Sequence, residues 1–252
     1  MKIAITGKGG TGKTTLAALM ARTFAEKGKP VIAIDADPDA NLASALGVPL
    51  TDLPAPLSQM KELIRERTDS KDGYGTYFKI NPDVRDLPEK YARLIHGVRL
   101  LTLGGIASGG SGCICPESAL LKALVTHVLL REDEVVILDM EAGVEHLGRA
   151  TAQAVTMMIV VIEPGQRSVQ TALNIRKLAD EIHIPRLGVV INKAFPDIEM
   201  DALVARLEGL PVLGTISMDS AIAQADLDGR SPYTGNEGQR KEINAILKAI
   251  TG

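Results

Sequence analysis

Short apolar runs alternate along this chain with longer stretches of helical periodicity. Lys2–Thr6, Val31–Asp35, Leu100–Leu103, Val135–Asp139, Met158–Ile162 and Leu187–Ile191 are too short for helices and almost unbroken by polar residues. Strands buried on both faces of a parallel sheet read this way. Thr14–Lys27 (with Gly28 at its end), Leu57–Thr68, Pro116–Leu130, Ser168–Ile182, Glu199–Glu208 and Gln239–Ile250 carry the spacing of helices. The alternation predicts an α/β fold, a mostly parallel sheet flanked by helices on both faces, with right-handed crossovers. The whole of 1–252 is expected to form one domain. Residues 48–97 break the rhythm with five prolines and mixed charge, and are expected to be an irregular insertion carrying the Leu57–Thr68 helix.

Composition sharpens this picture in two places. Only 3% of residues are aromatic and none is Trp, so the core must be built from Ala, Val, Ile, Leu and Met. The net charge of −3 offers no broad attraction for nucleic acid or anionic lipid. No apolar run reaches the roughly 20 residues that span a membrane. Met1-Lys2-Ile3 leads straight into a strand without a signal-peptide pattern. These features predict a cytoplasmic protein with no nucleic-acid or membrane partner.

Gly7-Lys8-Gly9-Gly10-Thr11-Gly12-Lys13-Thr14-Thr15 falls between the first strand and the first helix. It satisfies G-x-x-x-x-G-K-[ST] in the required setting, a P-loop. Backbone N–H groups from Gly9 to Thr15 would wrap phosphate oxygens at a helix N-terminus, the dipole adding to the attraction. Lys13 should reach the β- and γ-phosphates, the Thr14 hydroxyl should bind Mg²⁺, and Thr15 should face the α-phosphate. The second strand ends in Asp35-Ala36-Asp37-Pro38-Asp39-Ala40-Asn41, which places carboxylates beside that loop. Asp39 and Asn41 have an equally simple reading as turn and cap residues. The run Val135–Asp139 has the form of a Walker B strand, with Asp139 near Mg²⁺ through water. Gly143 follows it in a turn whose N–H is suited to sensing a γ-phosphate. Glu145 and His146 read as first-turn helix residues. No N/T-K-x-D guanine motif is present, which favours ATP over GTP.

The two cysteines, Cys113 and Cys115, are separated by one residue and lie between Gly109-Gly110-Ser111-Gly112 and Pro116. Random placement of two cysteines gives that spacing under about 1% of the time. Two thiolates are half of a four-coordinate site. A two-fold dimer would bring two copies of the pair together, and an S₄ set suits Zn²⁺ when tetrahedral or Ni²⁺ when square-planar. Packing as small apolar residues and a redox pair are the other readings.

Lys8 makes the P-loop a deviant one. Its K-G-G-x-G-K-[ST]-[ST] form resembles that of the MinD/ParA/nitrogenase iron-protein class of ATPases. The resemblance implies a dimer sandwiching ATP, with Lys8 acting on the nucleotide of the other subunit as a catalytic cation. It also implies that Asp37 orients the attacking water, that Asn192, in Asn192-Lys193, reads the adenine edge, and that Glu163-Pro164 line the interface. Nitrogenase iron proteins carry Asp where Asn41 stands here. Over nearly the whole chain the sequence resembles the CooC-type maturation ATPases of nickel carbon monoxide dehydrogenase. The P-loop, the Asp35–Asp39 segment, the Gly-Gly-Ser-Gly-Cys-Ile-Cys loop and Asp139-Met140-Glu141-Ala142-Gly143-Val144-Glu145-His146 carry that likeness. It implies ATP- and metal-dependent homodimerisation, Ni²⁺ or Zn²⁺ on Cys113 and Cys115, and nickel carbon monoxide dehydrogenase as client. Two rival readings are a positioning ATPase of the MinD/ParA kind and an electron donor with a shared Fe–S cluster. The C-terminal helix has no strongly basic face, and the cysteines lack the wide spacing of iron proteins.

Overall fold

The computed structural model describes the chain except for residues 53–54, 71–76, 105–114, 131–133, 142–153, 234–235 and 252. Eight strands form one sheet: β1 (Lys2–Gly7), β2 (Val31–Asp35), β3 (Arg93–Ile95), β4 (Val98–Thr102), β5 (Val135–Asp139), β6 (Met157–Ile162), β7 (Leu187–Ala194) and β8 (Val212–Ser217). Their spatial order is β3-β4-β2-β5-β1-β6-β7-β8. Every neighbouring pair is parallel except β3 with β4.

Strand side chains alternate between the two faces, and each face is covered by helices. Ile3, Ile5, Val31 and Ala33 pack beneath α1 (Lys13–Glu26), α2 (Leu42–Ala45) and α9 (Glu237–Thr251). Ala4, Ile32, Ile34 and Leu138 pack beneath α3 (Lys61–Thr68), α5 (Pro116–Leu130), α6 (Gln166–Glu181) and α7 (Met200–Ala205). Both cores are almost entirely aliphatic, with Phe24 the one buried phenylalanine among the described residues. The expected α/β architecture, mostly parallel and covered on both faces, is the architecture observed.

Several elements differ from the sequence reading. The predicted Leu57–Thr68 helix is a 3₁₀ turn at Leu57–Gln59, a break at Met60 (ψ 72°) and then α3. The irregular stretch also contributes α4 (Leu87–Tyr91) and the antiparallel edge strand β3, joined to β4 through His96 and Gly97. Both residues of that turn have positive φ, 47° and 82°, as a two-residue hairpin requires. β8 and α8 (Ser220–Leu227) were not anticipated. β8 has a weak apolar signature because Gly214 interrupts it, where α9 lies so close that a Cβ would fall 2.6 Å from Ile246 Cγ1.

Candidate nucleotide site

In an open parallel sheet the loops after each strand share one edge, and a ligand crevice opens where successive crossovers leave in opposite directions. Here β1 sends its chain toward β2, while β5, its neighbour, sends its chain toward β6 on the other side of β1. The P-loop follows β1 and Asp139 ends β5, so both predicted phosphate-site segments sit at that switch point.

β1 closes on Gly7, where a Cβ would lie 2.3 Å from the Val161 carbonyl oxygen of β6. The loop leaves through Gly12, which caps α1 in the left-handed region at φ 89° and ψ 28°. No side chain caps the helix, and its first bond within the turn is Leu16 N–H to Gly12 O at 2.9 Å. The amides of Lys13, Thr14 and Thr15 therefore have no partner among the described residues and are available to an anion. Thr11 closes the loop on itself: its hydroxyl donates to Lys8 O at 2.8 Å and its N–H to the same oxygen at 3.3 Å. Lys13 is buried, Thr14 and Thr15 are half-buried, and Lys8, Gly9 and Gly10 are exposed.

Across the crevice, Asp35 and Asp139 are register partners on β2 and β5, and both are fully buried. The Asp35 carboxylate accepts from Leu42 N–H at 2.9 Å and from Asp37 N–H at 3.3 Å. It thus ties down both ends of the turn that carries Asp37 and Asn41. Burial raises its pKa from 3.8 to about 6 against those two bonds. Asp37 is half-buried and accepts from Asp39 N–H at 3.0 Å, while Asn41 is exposed at the start of α2. Asp35 is a site residue that the sequence reading did not single out. The available signal was an acid at the closed end of an otherwise apolar run.

Asp139 is the most perturbed group of the site. Neither of its oxygens has a hydrogen-bond partner among the described residues. Burial pushes its pKa from 3.8 to about 7. The neighbouring Thr14 hydroxyl counters part of this shift without reaching hydrogen-bond geometry, and the charge of Asp35 adds to it. An orphaned carboxylate beside a threonine hydroxyl is an oxygen donor set of the kind a hard divalent cation takes.

β7 reaches the loop from the other side. Asn192 donates through Nδ2 to Thr11 O at 2.8 Å, and Lys193 Nζ donates to Gly10 O at 2.7 Å and to Glu163 Oε1 at 2.5 Å. Cys115 stands at the start of α5, on the same sheet edge. Its carbonyl accepts from Ala119 N–H at 3.0 Å and its sulfur from Ser118 N–H at 3.4 Å. Cys113, Gly143, Glu145 and His146 lie outside the described residues. Among those that are described, no group of three His, Cys, Asp or Glu side chains gathers as a metal site.

The model of the CobQ/CobB/MinD/ParA nucleotide binding domain matches residues 2–233 of this chain. The carbon monoxide dehydrogenase accessory protein CooC of Rhodospirillum rubrum is 45% identical over 252 residues, 99% of this chain and 96% of that one. The chain belongs to this nucleotide-binding family, among its CooC-type ATPases. An uncharacterized ATP-binding protein of Methanocaldococcus jannaschii is also 45% identical, over 253 residues covering 99% of this chain and 97% of its own. Among solved structures, the septum site-determining protein MinD complexed with Mg-ADP from Pyrococcus horikoshii OT3 superposes with a TM-score of 0.70. It is 20% identical, with 99% of this chain and 95% of that chain covered. A ParA family ATPase from Chlorobium tepidum TLS gives a TM-score of 0.71 at 20% identity, covering 99% of this chain and 97% of that one. These two likenesses establish the fold. As a CooC-type ATPase the chain binds ATP and ADP. No helix among the described residues is long and apolar enough to cross a membrane.

Proposed function

We propose that the chain is a nucleotide-dependent dimeric ATPase that carries nickel or zinc between its subunits and couples ATP hydrolysis to metal-cluster maturation of nickel carbon monoxide dehydrogenase. One observation carries the reading. Cys115 stands on the nucleotide edge of the sheet, in a chain 45% identical over 99% of its length to a carbon monoxide dehydrogenase accessory protein.

In this account Gly9 to Thr15 hold the phosphates, with Lys13 on the β- and γ-oxygens and Asn192 toward the adenine. Mg²⁺ would be held by Thr14 directly and by Asp139 through water, where it neutralises phosphate charge. Asp37 orients the attacking water, and Lys8 of a second copy delivers a cation to the transition state. The Gly143 amide senses whether the γ-phosphate is present. The nickel or zinc ion is cargo, taken by Cys113 and Cys115 of both copies when nucleotide closes the dimer. Linkage then requires cargo to tighten the ATP-bound dimer by the same factor that ATP tightens cargo binding.

The test is sedimentation of the full chain with Mg-ATP and nickel, alone and together, with metal content measured on each species. The expected result is a dimer that retains one metal per two chains only with nucleotide, and a Cys113→Ala/Cys115→Ala variant that loses metal but keeps its ADP affinity. A monomer under saturating Mg-ATP and nickel, or unchanged metal content in the double variant, overturns the proposal.

A further inference from the structure

In a regular strand, consecutive side chains point to opposite faces. Asn192 and Lys193 are consecutive in β7, yet both reach the same loop, at Thr11 O and Gly10 O. Two irregularities make this possible. Lys193 has φ 54°, in the left-handed region that a lysine enters at a cost, and the pairing of β7 with β8 slips between Ile191 and Ala194. A locally strained residue is being held where it serves a neighbour.

The consequence follows from peptide planarity. A carbonyl and the next N–H lie in one trans unit and point in opposite directions. Holding Thr11 C=O on Asn192 turns the Gly12 N–H away from β7. Holding Gly10 C=O on Lys193 fixes the preceding unit, whose Thr11 N–H returns to Lys8 O. Were the Thr11–Gly12 unit to flip, its carbonyl oxygen would take the place of the Gly12 N–H, and a flip of the Gly10–Thr11 unit would break the Thr11–Lys8 bond and set two carbonyl oxygens against each other. Gly10 and Gly12 offer little steric resistance to a flip. Thr11 resists from within the loop through Lys8 O, and β7 adds two bonds from outside it.

We propose that Asn192 and Lys193 form a clamp that fixes the peptide orientation of the phosphate loop, with Glu163 anchoring Lys193. All three are positioning residues. The Lys193–Glu163 pair is half-exposed on both sides, so it adds little stability by itself, and its effect is on geometry. Asn192 commits its amide nitrogen to the loop, which leaves its Oδ1 as the acceptor for the adenine amino group in the proposed account.

The test uses the full-length chain and its Lys193→Met, Glu163→Gln and doubly substituted variants. Calorimetric titration with ADP and ATP is paired with adenosine competition and with melting of the nucleotide-free protein. Lys193→Met should weaken ADP and ATP about tenfold, equivalent to about 1.4 kcal/mol. It should leave adenosine affinity and the nucleotide-free melting temperature unchanged. Glu163→Gln should weaken both nucleotides by a smaller factor, about threefold, and the double variant should match Lys193→Met, because Glu163 acts only through the lysine. The clamp is refuted by unchanged ADP affinity in Lys193→Met, by adenosine affinity falling in parallel with ADP, or by a lowered nucleotide-free melting temperature. Additive effects of the two substitutions refute the anchoring role of Glu163.

Discussion

Replacing Asp139 by Asn should make the nucleotide-free protein more stable at neutral and alkaline pH while removing Mg²⁺-dependent nucleotide binding. Asp139 is fully buried, with no hydrogen-bond partner for either oxygen among the described residues. Its pKa rises from 3.8 to about 7 through burial, with Thr14 opposing and Asp35 reinforcing. The folded state therefore favours the protonated acid. Stability from this group is complete below about pH 4 and is lost as pH rises through about 7. The rise corresponds to about 4 kcal/mol against the ionised form. An asparagine escapes that penalty, but its unpaired amide loses about 1–3 kcal/mol of hydrogen bonding in return. The net gain at pH 8 is then on the order of 1–3 kcal/mol, which for a chain of this size raises Tm by roughly 3–9 °C. Thermal melts of both proteins without nucleotide, from pH 5 to pH 8, read the effect directly. The gap should widen with pH and close toward pH 5. An Asp139→Asn protein no more stable than its parent at pH 8, or a gap independent of pH, refutes the reasoning. Asp35 contributes in the same direction with a pKa near 6, and because the two acids repel each other their effects will not simply add.

Two further substitutions probe the loop. In Gly12→Ala a Cβ would lie 2.1 Å from Asn192 Nδ2 at φ 89°, so the Asn192–Thr11 bond must break and the backbone must carry left-handed strain. ATP affinity measured by calorimetry should fall roughly 10- to 100-fold, with the circular dichroism spectrum unchanged. Lys8→Ala removes an exposed side chain whose backbone carbonyl still closes the loop on Thr11. Steady-state hydrolysis should fall by about 10³-fold while ADP affinity stays within about twofold, the pattern of a cation that acts only in the transition state.

How much of this was legible in the sequence depended on how local each signal was. Val31–Asp35, Pro116–Leu130 and Val135–Asp139 were read with the boundaries observed, because an unbroken apolar run or a proline-started helix is set by its own residues. The edge elements were not. β3 is three residues long, and β8 is interrupted by the glycine that lets α9 approach. The same division holds inside the site. The P-loop is a contiguous motif and was evident at once. The pairing of Asp35 with Asp139 is not contiguous, since it arises only because β5 inserts between β2 and β1. The clamp on the loop is less legible still. Asn192-Lys193 reads as the end of a strand, and the sequence gives no hint that a left-handed lysine turns both side chains the same way.

That difference in legibility has a physical meaning for the chemistry. The contiguous loop, which in the proposed account supplies amides for the phosphates, can be recognised in isolation, but glycines alone cannot keep those amides aimed. The features that aim and charge the site are all supplied by strands distant in sequence. β6 excludes a side chain at Gly7, β7 holds two loop carbonyls, and β2 and β5 bring two acids into mutual repulsion. The first two make the nucleotide-free loop ready. The third leaves it short of positive charge at the position where a phosphate-bound cation would sit. A site built in this way binds nucleotide with its cation more readily than either alone. Tightening of ADP binding by Mg²⁺ should therefore be largely absent in Asp139→Asn and retained in Lys193→Met.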